Sequence, residues 1–112
     1  MNLKATRGDT LTLSIRNTDA SGIAFPIDNF KYYATLKASM DDDDTDAAAT
    51  TENSDHDDAA GGVSHVTFTA EQTNDLVGRF YLDVQEKDAD GNITTIASGT
   101  VTFAKDVTRR VD

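Results

Sequence analysis

One stretch, residues 78–103, constrains the fold more than any other part of the chain. It reads GRFYLDVQEKDADGNITTIASGTVTF. In its first half, apolar Phe80, Leu82 and Val84 alternate with polar side chains, which is typical of a half-buried β-strand. A second alternating run covers 93–103, and the DADGN between the runs is rich in residues that tolerate the positive φ of tight antiparallel turns. The sequence therefore predicts one long β-hairpin.

The apolar phase changes within the second run. Ile93, Val101 and Phe103 share one parity, whereas Ile96 has the other. One extra residue in a strand reverses the face of the side chains that follow it, and glycine accommodates the altered backbone. A β-bulge is therefore predicted at residues 97–99, which read Ala-Ser-Gly.

Alternation of the same kind predicts further strands. Residues 10–16 and 63–69 indicate amphipathic strands, and 31–39 indicates an interior strand. The short run 3–7 is predicted to be an edge strand. These segments and the hairpin account for six or seven strands.

A short helical turn is predicted at residues 70–76. Thr69 precedes it as an N-cap, and Gln72 stands three residues later, which is the spacing of a capping box. Gly78 is predicted to end the turn. This places one helical turn immediately before the late hairpin.

The fold class that fits best is all-β. We predict an immunoglobulin-like β-sandwich of about seven strands, with one short helical turn before the late hairpin and a long acidic loop. A small Greek-key barrel is the alternative. The length of 112 residues fits a single domain. Its expected bounds are 1–103, with an acidic loop insertion at 40–62 and a polar tail at 104–112.

The net charge of −10 is concentrated in one segment. Residues 41–58 hold nine acidic and no basic side chains, which leaves 11 acids against 10 bases elsewhere. Such a potential repels phosphate backbones, so direct nucleic-acid binding is not expected. The segment also offers no apolar face, and we expect the fold to tolerate its replacement by a short linker.

Two motifs invite a binding hypothesis and are better interpreted as turns. Residues 7–9 spell Arg-Gly-Asp between two predicted strands. Asp88, Asp90 and Asn92 are spaced like the first ligands of a calcium loop, but Gly91 is in the wrong position and no bidentate glutamate follows. They are weak metal candidates only. No cofactor is expected.

Catalysis has little support in the residues. The chain has no cysteine. His56 lies in the acidic loop and His65 on a predicted strand, and neither has a nucleophile and an orienting group around it. We therefore expect a protein that is not an enzyme. No apolar run has the length of a signal peptide or of a membrane span, so a soluble protein is expected.

The chain resembles a family of small phage virion proteins, related to the amino-terminal domain of baseplate upper proteins and to similar immunoglobulin-like tail modules. The resemblance spans nearly the whole chain except residues 40–62. It is carried by RGDT at 7–10, PID at 26–28, TAEQT at 69–73, GRFYLDV at 78–84, DG at 90–91, GTV at 99–101 and DVTR at 106–109.

The resemblance implies a non-enzymatic virion structural protein, made in the host cytoplasm and present in multiple copies. Its partners would be other virion proteins of the tail, baseplate or capsid, with no small-molecule substrate and no membrane. The residues expected to bind these partners are Asp41, Asp42, Asp43, Asp44, Asp106, Val107, Thr108, Arg109 and Arg110.

Two alternatives remain open from the sequence. One is a capsid decoration or stabilising protein. The other is a calcium-dependent carbohydrate- or receptor-binding β-sandwich, in which exposed Tyr33 and Tyr81 would supply a stacking surface. Cross-strand packing would explain both tyrosines equally well.

Overall fold

The computed structural model describes residues 2–43 and 46–105 and confirms an all-β sandwich. Within these residues there are seven strands and one short helix. Their bounds are β1 Asn2–Thr6, β2 Leu11–Arg16, β3 Lys31–Lys37, β4 Ala49–Asn53, β5 Val63–Phe68, α1 Ala70–Thr73, β6 Gly78–Lys87 and β7 Ile93–Ala104.

The strands form two sheets of unequal width. The larger sheet has the order β1-β7-β6-β3-β4, and the smaller sheet pairs β2 with β5. Every pairing is antiparallel except that of β1 with β7, which is parallel. With β2 and β5 as strands B and E, and β3, β4, β6 and β7 as C, C′, F and G, this is the immunoglobulin-like arrangement.

The core lies between the inner faces of these sheets. In β3 the alternation is complete, since Tyr32, Ala34 and Leu36 have no exposed area while their neighbours are partly exposed. Val66 and Phe68 from β5 meet this face, and the rings of Phe80 and Phe103 pack edge to face at 5.8 Å. Period-two burial of this kind holds each strand to one register, because a one-residue slip would expose all of its apolar side chains.

The predicted hairpin is present as β6 and β7, and its bulge lies slightly earlier than predicted. Val84 pairs with Ala97 and Gln85 pairs with Thr95, so Ile96 is the extra residue. The prediction of a bulge at 97–99 is therefore wrong, because the extra residue lies one position before that range. Gly99 is paired regularly with Leu82, and the backbone freedom of glycine is not used for the bulge.

The capping box is confirmed. The Thr69 hydroxyl accepts from the backbone N–H of Gln72, and the Gln72 side chain accepts from the backbone N–H of Thr69. The helix ends at Thr73, with Asn74 as C-cap, so Gly78 does not end it as predicted. Gly78 instead begins β6 with a φ of 97°.

The interpretation of residues 40–62 as one loop without packing is wrong. Residues 49–53 form β4, which pairs with β3 at the edge of the larger sheet. Ala49 is buried, and Ala59 packs against the core. An edge strand with one buried alanine has almost no hydrophobic pattern. β4 is therefore held in place by backbone pairing with β3 rather than by an apolar stripe.

We therefore expect opposite results from two changes in this region. Replacing residues 49–53 by glycine and serine, with His56 left in place, removes β4 and should lower the free energy of unfolding by roughly 2–4 kcal/mol, on the scale of losing several hydrogen bonds and an apolar contact. Changing Asp41, Asp42 and Asp43 to asparagine should change it by less than about 0.5 kcal/mol, as is usual for surface sites. Urea unfolding measures both, and equal effects would contradict the distinction.

Candidate functional site

The polar side chains that could take part in catalysis or binding lie at one end of the sandwich, where the loops 17–30 and 54–62 meet the hairpin turn 88–92. His56 is the centre of this group. Its Nε2 lies 2.9 Å from the carbonyl oxygen of Phe30, and its Nδ1 lies 2.8 Å from the hydroxyl of Ser64. The His56 and Tyr32 rings pack edge to face at a centroid distance of 5.7 Å.

These contacts fix the tautomer of a neutral His56 ring. A carbonyl oxygen only accepts, so Nε2 must carry the proton that it donates to Phe30. Nδ1 then accepts from the Ser64 hydroxyl, which is fully buried. A histidine with both nitrogens engaged in this way positions the loop over the end of the core, and neither nitrogen is directed at an open site.

The second polar group joins β6 to the loop after β2. Glu86 Oε1 accepts from the Asn17 side chain at 2.6 Å and from the Tyr32 hydroxyl at 2.9 Å. Burial raises the pKa of the Tyr32 hydroxyl well above its ordinary value, and the Glu86 carboxylate adds to the effect. Tyr32 therefore stays protonated and acts as a hydrogen-bond donor.

Side chains also close the gap between the two sheets on the β4 side. Asn53 donates to the carbonyl of His65 at 2.7 Å, and Gln72 donates to the carbonyl of Thr50 at 2.8 Å. The first bond joins β4 to β5, and the second joins α1 to β4. On this side the sandwich is sealed by hydrogen bonds.

Of the weak calcium candidates, Asp88 and Asn92 use their side chains in hydrogen bonds within the hairpin turn. Oδ1 of Asp88 accepts from the backbone N–H groups of Asp90 and Asn92 at 2.9 and 2.8 Å, and Oδ2 accepts from the Asn92 side chain at 3.1 Å. Gly91, with a φ of 89°, completes the turn. Among the described residues no group of three or more histidine and acidic side chains is arranged to hold a metal ion.

The Arg-Gly-Asp sequence forms a turn that is tied to α1. Arg7 Nε donates to the carbonyl of Asn74 at 2.8 Å, and the buried Thr73 hydroxyl donates to the carbonyl of Asp9 at 2.7 Å. Gly8 has a φ of 80°. Only 15% of the Arg7 side chain is exposed, so its guanidinium serves the end of the helix rather than an external partner.

The expected partner-binding residues are only partly described. Asp44 and 106–112 lie outside the described residues. Asp42 accepts from the backbone N–H of Ser39 at 3.2 Å, in a turn that follows β3 and includes Asp41, and Asp43 comes directly after this turn.

Tyr33 and Tyr81 both lie on the outer face of the larger sheet. Tyr33 is opposite Gln85, and Tyr81 is opposite Lys37, so the two rings are four residues apart along the strands. Each has a cation over its ring, Lys31 at 5.2 Å and Arg79 at 5.7 Å. A hollow of about 400 Å³ lies beside Tyr81. Sequence parity predicts this orientation correctly.

Comparisons with protein-family models, curated proteins and solved structures find no match for this chain. None of the helices in the described part of the chain has the length and apolar character needed to cross a membrane.

The two histidines provide a matched pair of tests. His56→Ala leaves the buried Ser64 hydroxyl and the Phe30 carbonyl without their partner, and should lower the free energy of unfolding by roughly 2–4 kcal/mol. His65 is more than one-third exposed and pairs with exposed Asp57 at 2.9 Å, so His65→Ala should cost less than about 1 kcal/mol. Denaturant unfolding gives both values. A larger loss for His65→Ala would refute the role assigned to His56.

The hairpin turn should contribute to the pH dependence of stability. Hydrogen bonds from Asn92, Asp90 and Gly91 hold the pKa of Asp88 below its ordinary value of 3.8. A lowered folded-state pKa stabilises the fold above the unfolded-state value, and this stability is lost as the pH falls through the folded-state pKa. Unfolding measured between pH 6 and pH 2 should depend less steeply on pH in Asp88→Asn than in the unchanged chain. Identical slopes would contradict this.

Proposed function

We propose that this chain is a non-enzymatic structural module of a tailed-phage virion, which docks in multiple copies on neighbouring proteins. The observation that carries the proposal is how its polar groups are used. His56, Glu86 and Asp88 hold loops and turns by hydrogen bonds, whereas edges of both sheets carry no strand partner among the described residues. Such edges are surfaces for backbone pairing with another chain.

The phage assignment rests on the sequence resemblance, and the segments that carry it have structural roles in the sandwich. TAEQT contains the capping box of α1, and the DG dipeptide completes the turn of the hairpin. The RGDT segment contributes the turn that Arg7 and Thr73 tie to α1. These residues build the connections of the sandwich, which is a structural role.

A position in the tail or baseplate is favoured over capsid decoration, because the resemblance is to tail modules. The carbohydrate- or receptor-binding alternative is weaker in its calcium-dependent form. The oxygens of Asp88 accept hydrogen bonds within the turn. Tyr33 and Tyr81 stand in separate parts of the outer face, so they do not form one continuous stacking platform.

The proposal predicts that the polypeptide is a component of purified particles. Gradient-purified virions of the phage that encodes it should contain it in multiple copies by quantitative mass spectrometry, and immunogold labelling should mark the tail or baseplate. A replication protein of the same phage is the control and should be absent from the particles. Particles that lack the polypeptide would refute the proposal.

A further inference from the structure

The inward side chains of β5 are fully buried, whereas two of the three on β2 are partly exposed. The inward side chains of β5 are Ser64, Val66 and Phe68, and all are fully buried. On β2, Leu11 and Leu13 have the same inward parity as buried Ile15, yet both remain partly exposed. The difference follows from the unequal sheets, since two strands do not cover the inner face of five.

The uncovered part of the larger sheet lies beside β2. The larger sheet has five strands and the smaller one has two, so the larger sheet is three strands wider. Neighbouring strands within a sheet are about 4.8 Å apart. Because β5 packs against β4 and β3, the excess lies on the side of β7 and β1. β1 pairs only with residues 100–104 of β7, so residues 93–99 carry no strand on that side within the described chain.

A groove of about 370 Å³ occupies this position. Residues 12–16 line it consecutively. Because side chains alternate across a strand, consecutive residues line one groove only where it follows the backbone edge. The apolar side chains of the groove are Leu3, Leu13, Ile15, Val84, Ile96 and Ala97.

The backbone groups that face this groove follow from the ladder. Asn17 N–H donates to the carbonyl of Gly62 at 2.8 Å and continues the register of β2 with β5. Every second residue of an antiparallel pair is bonded to its partner. Thr12, Ser14 and Arg16 are therefore the residues whose N–H and C=O point away from β5. The 3.1 Å approach of the Thr12 and Thr67 hydroxyls fits a non-hydrogen-bonded pair.

We propose that this groove binds one extended peptide segment of a partner protein, which adds a strand to the free edge of β2. The segment would carry apolar side chains at alternate positions and a carboxylate at the end beside Arg16. Alternate side chains would enter the groove over Leu13 and Ile96, and backbone bonds to Thr12, Ser14 and Arg16 would hold the segment. Arg16 is the charged side chain that lines the groove, so an acidic residue there is the complementary choice.

The dimensions favour a single strand over a second folded copy. β2 is six residues long, or about 20 Å, which is the length of one short strand. Stable interfaces between folded domains bury roughly 1,200–2,000 Å², which is more than a single strand edge of this length offers. In addition, the larger sheet projects past β2, so it would prevent β2 of another sandwich from approaching to pairing distance. A lone extended segment fits on this projecting face.

This proposal rests on the docking role in the proposed function and adds the chemistry of the partner. Its failure is distinguishable from that of the proposed function. A polypeptide absent from virions would leave peptide binding to the groove unaffected. Conversely, a groove that binds no peptide would leave the virion assignment unaffected.

The test uses the full chain and a capped seven-residue peptide in which valine and threonine alternate after a leading glutamate, together with the reversed sequence to allow either strand direction. NMR should show shifted resonances and slowed hydrogen exchange at the amides of Thr12, Ser14 and Arg16. A peptide with serine in place of each valine is the negative control. Absence of these changes at millimolar peptide would overturn the proposal.

Two independent variants should weaken peptide binding about tenfold or more, the loss expected for one backbone hydrogen bond or one apolar contact. Ser14→Pro removes an outward N–H, and proline is tolerated on edge strands. Ile96→Asp places a charge in the groove. Ile93→Asp is the matched control, because Ile93 is more exposed, at 61% against 41%, and lies outside the groove. Melting curves confirm that each variant folds.

Three other results would also overturn the proposal. Equal weakening by Ile93→Asp would show that the groove is not the binding site. The amides of Thr12, Ser14 and Arg16 could be protected from hydrogen exchange even without peptide. If deletion of residues 106–112 then removed this protection, the tail of this chain would be identified as the occupant. Self-association in sedimentation that Ser14→Pro abolishes would identify a second copy.

Discussion

The structure depends on the pairing of β6 with strands on both sides. Over its ten residues β6 pairs with β7 along its whole length and with β3 along seven positions. Its inward side chains Phe80, Leu82 and Val84 lie in the centre of the core. Because the same backbone sets the register of both neighbours, a displacement of β6 would move the inner faces of three strands together.

The loops are secured by hydrogen bonds that connect to this central frame. Tyr32 on β3 and Asn17 after β2 both meet Glu86 on β6. His56 reaches across to β5 through Ser64 and to the start of β3 through Phe30. Satisfied buried polar groups of this kind specify one arrangement of the loops, because each would be costly to leave unpaired.

What the sequence predicts well is local. The alternation in β2, β3, β5 and β6 and the capping box of Thr69 with Gln72 each arise from residues near one another in the chain. β4 is missed because it has one buried apolar side chain, and its stability comes from pairing with β3. Periodicity carries no signal for such a strand.

The bonds of His56 and the groove beside β2 are not predictable from sequence pattern for a related reason. Ser64 and Phe30 stand 8 and 26 residues from His56, and only the completed fold brings them together. The groove arises from the unequal widths of two sheets, which depends on strand order rather than on any one segment. The phase change at Ile96 indicates an irregularity in β7. That Ile96 lines the groove beside β2 follows only from the folded structure.

The parallel pairing of β1 with β7 has a mechanical consequence. Asn2 lies beside Thr100 and Thr6 beside Ala104, so the first described residues and the end of β7 are at opposite ends of this pair. Tension applied between them acts along the strands and loads all of the β1–β7 hydrogen bonds together, in shear. An antiparallel pair loaded at one end would open one bond at a time. A module joined to its neighbours through these two ends would therefore resist extension by sharing the load across the ladder.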